Sequence, residues 1–225
     1  MAVPETVNPR QIYLDTCVAI AAGLADQGFR HVPSAQQLKR QRGDWLDVVY
    51  FQSSHNNDPR GLVALRAGVN GRNGRLLRWR REHGAPFRND DWVSGTYLGY
   101  LKPGGSYKEW NLYETGQRET AVREVVALVL EYGLQWFDLL RNIDRLAEAV
   151  PSDVLGGSVA SLVELLFCYE RRDDAQTLVT RWRGEAPAEV VKRLRQALRE
   201  ERNPGLFPTS TSVQLAVVLK ANDLV

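Results

Sequence analysis

The spacing of the apolar residues changes twice along this chain, and those changes restrict the fold more than any other feature. Apolar residues recur every three or four positions from Tyr13 to Leu24, which places them on one side of an α-helix. Beyond Gly28 the spacing shortens to two, the period of a β-strand, and from Gln117 the helical spacing returns. A helix, a sheet and a second helical part in that order predict an α+β fold.

The first helix has sequence signals at both ends. Asn8 is a favoured N-cap residue, and Pro9 follows at the first helical position, where its missing N–H costs nothing. Gly28 is a favoured stop. We therefore expect a helix from residue 8 to residue 28 that covers the sheet with its apolar side.

The middle of the chain carries the strand signals. The predicted strands are residues 45–51, 61–69, 75–81, 96–101 and 109–113. Polar turns separate them, at residues 55–59, 70–74 and 102–106, and short turns favour antiparallel neighbours. Residues 75–81 suit an edge strand with its guanidinium groups directed at water, and a short helix fits them equally well. The sequence thus predicts an antiparallel sheet of about five strands.

The rest of the chain is predicted to be helical. A long helix after the sheet begins at Gln117 and stops at Gly133. A helix-breaking proline and two glycines fall between Pro151 and Gly157, which makes this segment the best candidate boundary. We therefore expect an α+β core domain over residues 1–150 and a helical C-terminal subdomain over residues 151–225. The further predicted helices are residues 135–141, 158–170, 174–182, 187–201 and 211–221.

Apolar runs and cysteines restrict where the chain resides. The longest apolar runs, residues 125–130 and 213–219, fall far short of the ~20 residues that a membrane-spanning helix needs. The first residues lack the charged and apolar pattern of a secretory signal, so we expect a cytoplasmic protein without contact to membranes. Cys17 and Cys168 fall in separate helices as small apolar residues, which predicts buried thiols and no disulfide framework.

No residue pattern indicates a catalytic or metal site. The histidines His31, His55 and His83 are far apart, and none belongs to a metal-binding motif, so we expect no metal and no cofactor. The chain has no Gly-x-Ser-x-Gly nucleophile elbow. Ser53 and His55 would share one face of a strand, but residues of this kind at a strand end more often form a hydrogen-bonded turn. We predict no catalytic residue.

The segment 72–88 is basic. Eight arginines lie between Arg60 and Arg88 against one acid, Glu82, although a chain with 24 arginines and five lysines also favours arginine in general. Arginines interleaved with aromatic rings suit phosphates and stacked bases, whereas an edge strand protected by arginine is the alternative. The candidate binding residues are Arg72, Arg75, Arg78, Trp79, Arg80 and Arg81, with Phe87 as a second ring.

Aromatic residues crowd into the segment 92–113. Alternation along a strand directs some of them to each face of the sheet, and exposed Trp and Tyr dominate the energetics of protein interfaces. Tyr100 and Trp110 are therefore candidate contacts for a partner. An amphipathic stripe at residues 190–198 offers a further docking face, through which a homodimer could form.

Several short strings resemble those of a bacterial family, domain of unknown function 4304. They are Gly28-Phe29, Tyr50-Phe51-Gln52-Ser53-Ser54, the segment from Gly95 to Leu101, Glu109-Trp110 and the segment from Gly133 to Asp138. The resemblance covers residues 8–145 approximately. It implies a first helix, an antiparallel sheet and a closing helix, and it supplies no catalytic residues.

The absence of a catalytic pattern and the content of aromatic and arginine residues lead to one functional prediction. We expect a non-catalytic bacterial binding protein, of the accessory or immunity kind, that contacts another protein through its sheet. The alternative is a nucleic-acid-associated protein that uses the arginines of segment 72–88. An uncharacterised hydrolase is the third hypothesis.

Overall fold

A computed structural model describes residues 8–58, 60–83, 89–199 and 210–224 of the chain. It is an α+β protein with an antiparallel sheet, an N-terminal helix and several helices after the sheet, which confirms the predicted class. The strands are β1 (Arg30–Val32), β2 (Gln37–Arg42), β3 (Trp45–Ser53), β4 (Ala64–Asn73), β5 (Trp92–Tyr97) and β6 (Trp110–Asn111). The first five helices are α1 (Pro9–Gly23), α2 (Gly74–His83), α3 (Leu98–Leu101), α4 (Thr115–Leu128) and α5 (Leu134–Arg141). The others are α6 (Ile143–Ala149), α7 (Ser152–Cys168), α8 (Arg172–Glu185), α9 (Ala188–Arg199) and α10 (Thr211–Ala221).

The first helix begins as its sequence predicts. The side-chain oxygen of Asn8 accepts hydrogen bonds from the backbone N–H groups of Arg10 and Gln11 at 3.0 and 3.2 Å, so two of the free donors of the first turn are satisfied. The α-helix ends at Gly23, and one 3₁₀ turn continues to Gly28, whose φ of 82° is left-handed. Glycine is favoured at that position because it has no Cβ to clash.

The strands of the sheet follow in the order β1-β2-β3-β4-β5, and β6 pairs with β4. In the pairing of β4 with β6, Leu65 lies opposite Trp110 and Ala64 lies opposite Asn111. The edge strand β1 and its neighbour β2 were not predicted, because neither carries a clear alternation of apolar and polar residues. Only Leu38 and Arg40 are buried in β2, and β1 has no buried residue.

The predicted turn at residues 70–74 is wrong, because β4 continues to Asn73 and α2 begins at Gly74. Residues 75–81 lie in α2, so the short helix that the sequence left open is confirmed and the edge strand is not formed. A Cβ on Gly71 would lie 2.3 Å from Leu140 Cδ1, so this glycine permits close packing and does not serve a turn. The side-chain oxygen of Asn73 then accepts from the Leu76 N–H at 2.8 Å and starts the helix.

The predicted strand at residues 96–101 is also corrected. Strand β5 starts earlier, at Trp92, and residues 98–101 form the short helix α3. The predicted strand at residues 109–113 is shorter in the structure, where only β6 forms. The Asn111 side chain binds backbone N–H groups next to β6. Its oxygen accepts from the N–H groups of Val63 and Tyr113 at 3.0 and 3.1 Å.

Glycine signals misled the prediction of helix ends after the sheet. The predicted stop at Gly133 is wrong, because a π-helical turn (Val129–Gly133) leads from α4 directly into α5. Gly156 and Gly157 lie inside α7, which begins at Ser152 and not at residue 158. Helix α6 was not predicted, whereas the helices α8, α9 and α10 lie close to their predicted ranges.

The chain divides into two compact units. Unit 1 comprises Met1–Arg42, Leu46–Asn70 and Thr96–Phe137, and unit 2 comprises Gly43–Trp45, Gly71–Gly95 and Asp138–Val225. The division of the chain into two domains at residue 150 stays a prediction. None of the described helices is both long and apolar enough to cross a membrane.

The core of unit 1 contains a charged pair. Helix α1 packs on α4, and Gly23 permits a close approach, since a Cβ there would lie 2.8 Å from Val126. Arg40 and Asp47 are both buried, and the Arg40 Nε donates to Asp47 Oδ2 at 2.9 Å. The Arg40 guanidinium also lies 4.7 Å from the centroid of the Phe29 ring, which adds a cation–π contact.

The core of unit 2 is built around α7, which packs on α2, α8 and α10. Most of its side chains are apolar and fully buried, but Ser158, Ser161 and Glu164 are buried as well. Ser158 Oγ lies 2.8 Å from Ser94 Oγ, so these two hydroxyl groups satisfy one another. Both cysteines of the chain are free and buried, as predicted.

Candidate binding site

The arginines of helix α2 do not share one environment. Arg75, Arg78 and Arg81 are exposed, and Trp79 is half-buried. The spacing of three residues between these arginines places them on one side of the helix. This exposed row of Arg75, Arg78 and Arg81 is named the α2 arginine row below.

Arg80 faces the interior, against the expectation that its guanidinium group is directed at water. Its side chain is 0% exposed, and its Nε and Nη2 atoms donate to Glu164 Oε2 at 2.9 and 2.7 Å. Its Nη1 atom donates to the Asp90 carbonyl and carboxylate, each at 2.9 Å, and to the Trp92 carbonyl at 2.8 Å. A guanidinium group with its donors satisfied in this way holds α2, α7 and the start of β5 together, so Arg80 is not a surface contact.

Carboxylates neutralise two of the other predicted arginines. Arg72 forms an ion pair with Asp91 at 2.9 Å, and Arg78 forms one with Asp44 at 2.9 Å. These pairs reduce the positive charge that the sequence shows in this segment.

The remaining predicted residues of the basic segment have their own contacts. The Arg75 guanidinium lies 4.3 Å from the Tyr169 ring centroid, and the Arg81 Nε donates to Asn89 at 3.2 Å. The ring of Trp79 stacks on His83. Phe87, the second predicted ring, lies outside the described residues, as does the end of the segment at Arg88.

The two predicted aromatic contacts differ in exposure. Tyr100 is 43% exposed, whereas Trp110 is only 6% exposed. The Trp110 indole N–H donates to Glu124 Oε2 at 2.7 Å, and Lys108 pairs with the same carboxylate at 2.7 Å. These two bonds hold the pKa of Glu124 below its ordinary value. Trp110 therefore fixes β6 against α4 and is not available to a partner.

Three tyrosines that were not singled out together form a cluster in unit 1. The Tyr97 ring meets the Tyr50 ring edge-on at 6.1 Å and the Tyr107 ring edge-on at 5.3 Å between centroids. Gly68 leaves space for the Tyr50 ring, because a Cβ at position 68 would lie 2.3 Å from the Tyr50 hydroxyl oxygen. Burial, followed by the nearby Tyr97, raises the pKa of Tyr50 to about 12.

Polar groups surround this cluster and fix its geometry. The Tyr97 hydroxyl donates to Gln52 Oε1 at 3.2 Å. The Arg66 Nε donates to Glu109 Oε2 at 2.6 Å, and the Arg66 guanidinium lies 5.9 Å from the Tyr107 ring centroid. Strand alternation places Tyr50 and Gln52 on the same side of β3. The surface formed by Tyr50, Gln52, Arg66, Tyr97 and Tyr107 is named the tyrosine face.

A polar hollow of about 570 Å³ opens beside the tyrosine face, at the end of β3. Its lining residues are Gln36, Phe51, Gln52, Ser53, Ser54, His55, Asn56 and Arg66. Ser53 and His55 thus share one hollow, although the sequence favoured a hydrogen-bonded turn at this place. A turn is present too, because the Ser54 hydroxyl oxygen accepts from the Asn56 backbone N–H at 3.1 Å.

The hollow does not hold an activated nucleophile. Ser53 Oγ accepts a hydrogen bond from the Asn57 amide at 2.8 Å, and within the described part of the chain it has no hydrogen bond to His55. A serine nucleophile requires a base within hydrogen-bonding distance of its oxygen. In residues 8–58, 60–83, 89–199 and 210–224 no three His, Cys, Asp or Glu residues come together as metal ligands either.

The tyrosine face could have been found from the sequence only in part. The string Tyr50-Phe51-Gln52 and the arginine at position 66 both lie in predicted strands, and alternation gives their direction. Tyr97 and Tyr107 lie on either side of helix α3 and the predicted turn at residues 102–106, and the sequence did not indicate α3. Because helix α3 was not predicted, the cluster of three tyrosines was not predicted either.

Fold and geometry together define an α+β protein with one aromatic, polar surface and one row of exposed arginines. A comparison of the chain with protein-family models, with curated proteins and with solved structures finds no match. The resemblance to domain of unknown function 4304 accordingly stays a prediction.

Proposed function

We propose that this chain is a non-catalytic binding protein, of the accessory or immunity kind, that recognises another protein through the tyrosine face. The observation that carries the proposal is the edge-on contact of Tyr97 with both Tyr50 and Tyr107, beside an arginine that is 36% exposed. Tyr and Arg are the residue types most enriched among the residues that dominate interface energies.

The order of this surface supports the proposal. A tyrosine loses only two side-chain torsions on binding, and rings that already touch one another lose less freedom still. Tyr97 is held by its hydroxyl bond to Gln52, and Arg66 is held by Glu109. A surface that is ordered before binding gives a larger net affinity for the same contacts.

Photo-crosslinking from defined positions tests the proposal. A crosslinking amino acid replaces Tyr107, which is 43% exposed, and in a second protein it replaces Arg183, an exposed residue of unit 2. After exposure to a lysate of the source organism, mass spectrometry identifies the attached proteins. We expect one stoichiometric protein attached from position 107 and not from position 183.

A substitution in the cluster supplies the second measurement. Tyr97→Ala should weaken capture of that protein by about 2 kcal/mol, or about thirtyfold, the usual effect of truncating a central interface residue. Tyr132→Ala, a half-buried tyrosine outside the cluster, is the matched control. Equal capture by the wild-type protein and Tyr97→Ala would contradict the proposal.

A second candidate function rests on the α2 arginine row. Arg75, Arg78 and Arg81 project from one side of a helix with the half-buried Trp79 beside them, an arrangement that suits phosphates and a stacked base. The ion pair of Arg78 with Asp44 counts against it, because it offsets part of the positive charge that would attract an oligonucleotide. The protein-binding proposal is favoured for that reason.

Fluorescence anisotropy with a labelled single-stranded oligonucleotide tests this second candidate. Binding that falls steeply with salt, and that is lost when all three arginines of the row become glutamine, would support it. A matched triple substitution to glutamine in α9 controls for overall charge; its exposed arginines are Arg193, Arg195 and Arg199. Affinity that salt leaves unchanged, or that the α9 substitution lowers equally, would exclude it.

A further inference from the structure

The polar hollow at the end of β3 is rich in hydrogen-bond donors. None of its described lining residues is an acid, and all of them except Phe51 carry N–H or O–H groups on their side chains. Glu109 offsets part of the Arg66 charge, but it does not line the hollow, so the lining offers N–H and O–H donors to an anionic ligand.

The serine hydroxyls of the hollow have free O–H protons. Ser53 Oγ accepts from the Asn57 amide at 2.8 Å, and Ser54 Oγ accepts from the Asn56 backbone N–H at 3.1 Å. In both contacts the serine oxygen is the acceptor, so the O–H proton of each serine remains available to donate to an oxyanion.

Arg66 is oriented in a way that suits an oxyanion. Its Nε is bound to Glu109 at 2.6 Å, and its two Nη atoms have no hydrogen bond to any described residue. A guanidinium group held at one edge presents two parallel N–H groups at the other, which match two oxygens of a phosphate or carboxylate. Gln52 adds donors, because its amide oxygen already accepts from the Tyr97 hydroxyl.

A second guanidinium group lies behind the wall of the hollow. In the orientation that satisfies the Gln36 amide, its nitrogen donates to the Tyr13 hydroxyl at 2.9 Å. The amide oxygen then accepts from both Nη atoms of Arg10, at 3.0 and 3.1 Å. Arg10 thereby adds positive charge next to Gln36, which lines the hollow.

We propose that the polar hollow binds the phosphate group of a small phosphomonoester. Arg66 holds two phosphate oxygens, and the hydroxyls of Ser53 and Ser54 with the His55 imidazole serve the third. A phosphate has three strongly accepting terminal oxygens, so it uses more of these donors than a carboxylate with two. The organic part occupies the remaining space of the hollow, whose volume of about 570 Å³ is usual for a small-molecule site. The hollow shares Gln52 and Arg66 with the tyrosine face, but phosphate binding there does not require the proposed protein partner.

Isothermal titration calorimetry with phenyl phosphate, inorganic phosphate and benzoate tests this proposal at neutral pH and low salt. We expect both phosphates to bind, because each offers at least three terminal oxygens to the donors of the hollow. Benzoate, which offers two oxygens, should bind at least about tenfold more weakly than phenyl phosphate. Arg66→Gln should weaken phenyl phosphate binding by about tenfold or more, as should the double substitution Ser53→Ala with Ser54→Ala.

Arg60→Gln is the matched control, because Arg60 is a nearby arginine that is 88% exposed and does not line the hollow. It should bind phenyl phosphate like the wild-type protein. Unchanged thermal unfolding of each variant shows that its fold is intact. Three results would overturn the proposal: no phosphate binding by the wild-type protein, equal affinity for benzoate, or full binding by both Arg66→Gln and the double serine variant.

Discussion

The buried pair of Arg80 and Glu164 gives the sharpest prediction from this structure. Both side chains are at most 1% exposed, and Arg80 also pairs with the Asp90 carboxylate. Arg80→Met keeps most of the side-chain volume but removes every donor of the guanidinium group. The Glu164 carboxylate then loses two hydrogen bonds, and the Asp90 carboxylate and the carbonyls of Asp90 and Trp92 each lose one.

The expected cost follows from the loss of these partners. Removing one member of a buried ion pair usually destabilises a protein by about 3–5 kcal/mol, because the other charge remains in the interior. A total stability of about 5–15 kcal/mol is normal for a domain, so this one change would remove a large part of it. Arg81→Met on the same helix replaces an exposed arginine and should change stability by no more than about 0.5 kcal/mol.

Urea unfolding followed by tryptophan fluorescence measures both effects. We expect the unfolding midpoint of Arg80→Met to fall far below that of Arg81→Met, with the dependence on urea unchanged. The double variant Arg80→Met with Glu164→Leu should recover much of the loss, because the buried carboxylate is removed together with the guanidinium group. An Arg80→Met protein as stable as Arg81→Met would refute the buried position of Arg80.

Three further predictions concern single positions. Gly156→Ala and Gly157→Ala should each raise the free energy of unfolding by about 0.5–1 kcal/mol, because both glycines are exposed inside α7 with open space for a Cβ. If neither variant raised the free energy of unfolding in urea, these residues would form a linker and not a helix. Gly71→Ala should cost about 1–3 kcal/mol in the same assay, because the new Cβ would overlap Leu140, and a neutral result would contradict this packing. The pKa of Tyr50 is raised to about 12, so the folded state binds the hydroxyl proton more tightly than the unfolded state does. The contribution of this proton to the free energy of unfolding is fully present below the unfolded pKa of about 10, and it is lost as the pH rises from there to the folded pKa. Tyr50→Phe should therefore lose less stability than the wild-type protein between pH ~10 and ~12, and equal losses would contradict the burial of that hydroxyl.

The parts of the fold that the sequence predicted are those in which local signals agree with the final structure. Asn8 and Pro9 start α1 because capping depends only on the first turn of the helix. Strand β3 was predicted over residues 45–51 because apolar residues lie on both of its sides, and the structure extends it to Ser53. In both cases, the signal that identifies the element lies in neighbouring residues of the sequence.

Glycine was the main cause of the errors, because its role depends on what packs against it. Gly28 has a left-handed backbone and ends a helical segment, as predicted. Gly71 and Gly133 instead lie against side chains that are distant in sequence, Leu140 and Val69. A string of glycines predicts a turn only where no other part of the chain needs to come close.

The candidate sites show the same limit for arginine. The sequence treats Arg80 and Arg81 alike, yet one is buried and the other exposed, because α2 turns by about 100° per residue. An edge strand would also have separated the two, but it would have directed Arg78 and Arg80 to the same side. The error in secondary structure thus became an error about which arginines reach the surface.

The satisfaction of donors, more than the number of arginines, distinguishes structural arginines from those available to a ligand. Arg80 has acceptors for all three of its nitrogens and no exposed surface, so it can bind nothing further. Arg66 has one nitrogen bound and two without a described partner, beside a hollow lined with further donors. The N–H groups of a guanidinium edge without protein partners are bound to water until an anion replaces that water. An anionic ligand therefore forms its strongest hydrogen bonds at such an edge. Arg78 also has one nitrogen bound to a carboxylate and two without a described hydrogen bond, so the neighbouring donors of the hollow are what favour Arg66, which lies outside the basic segment.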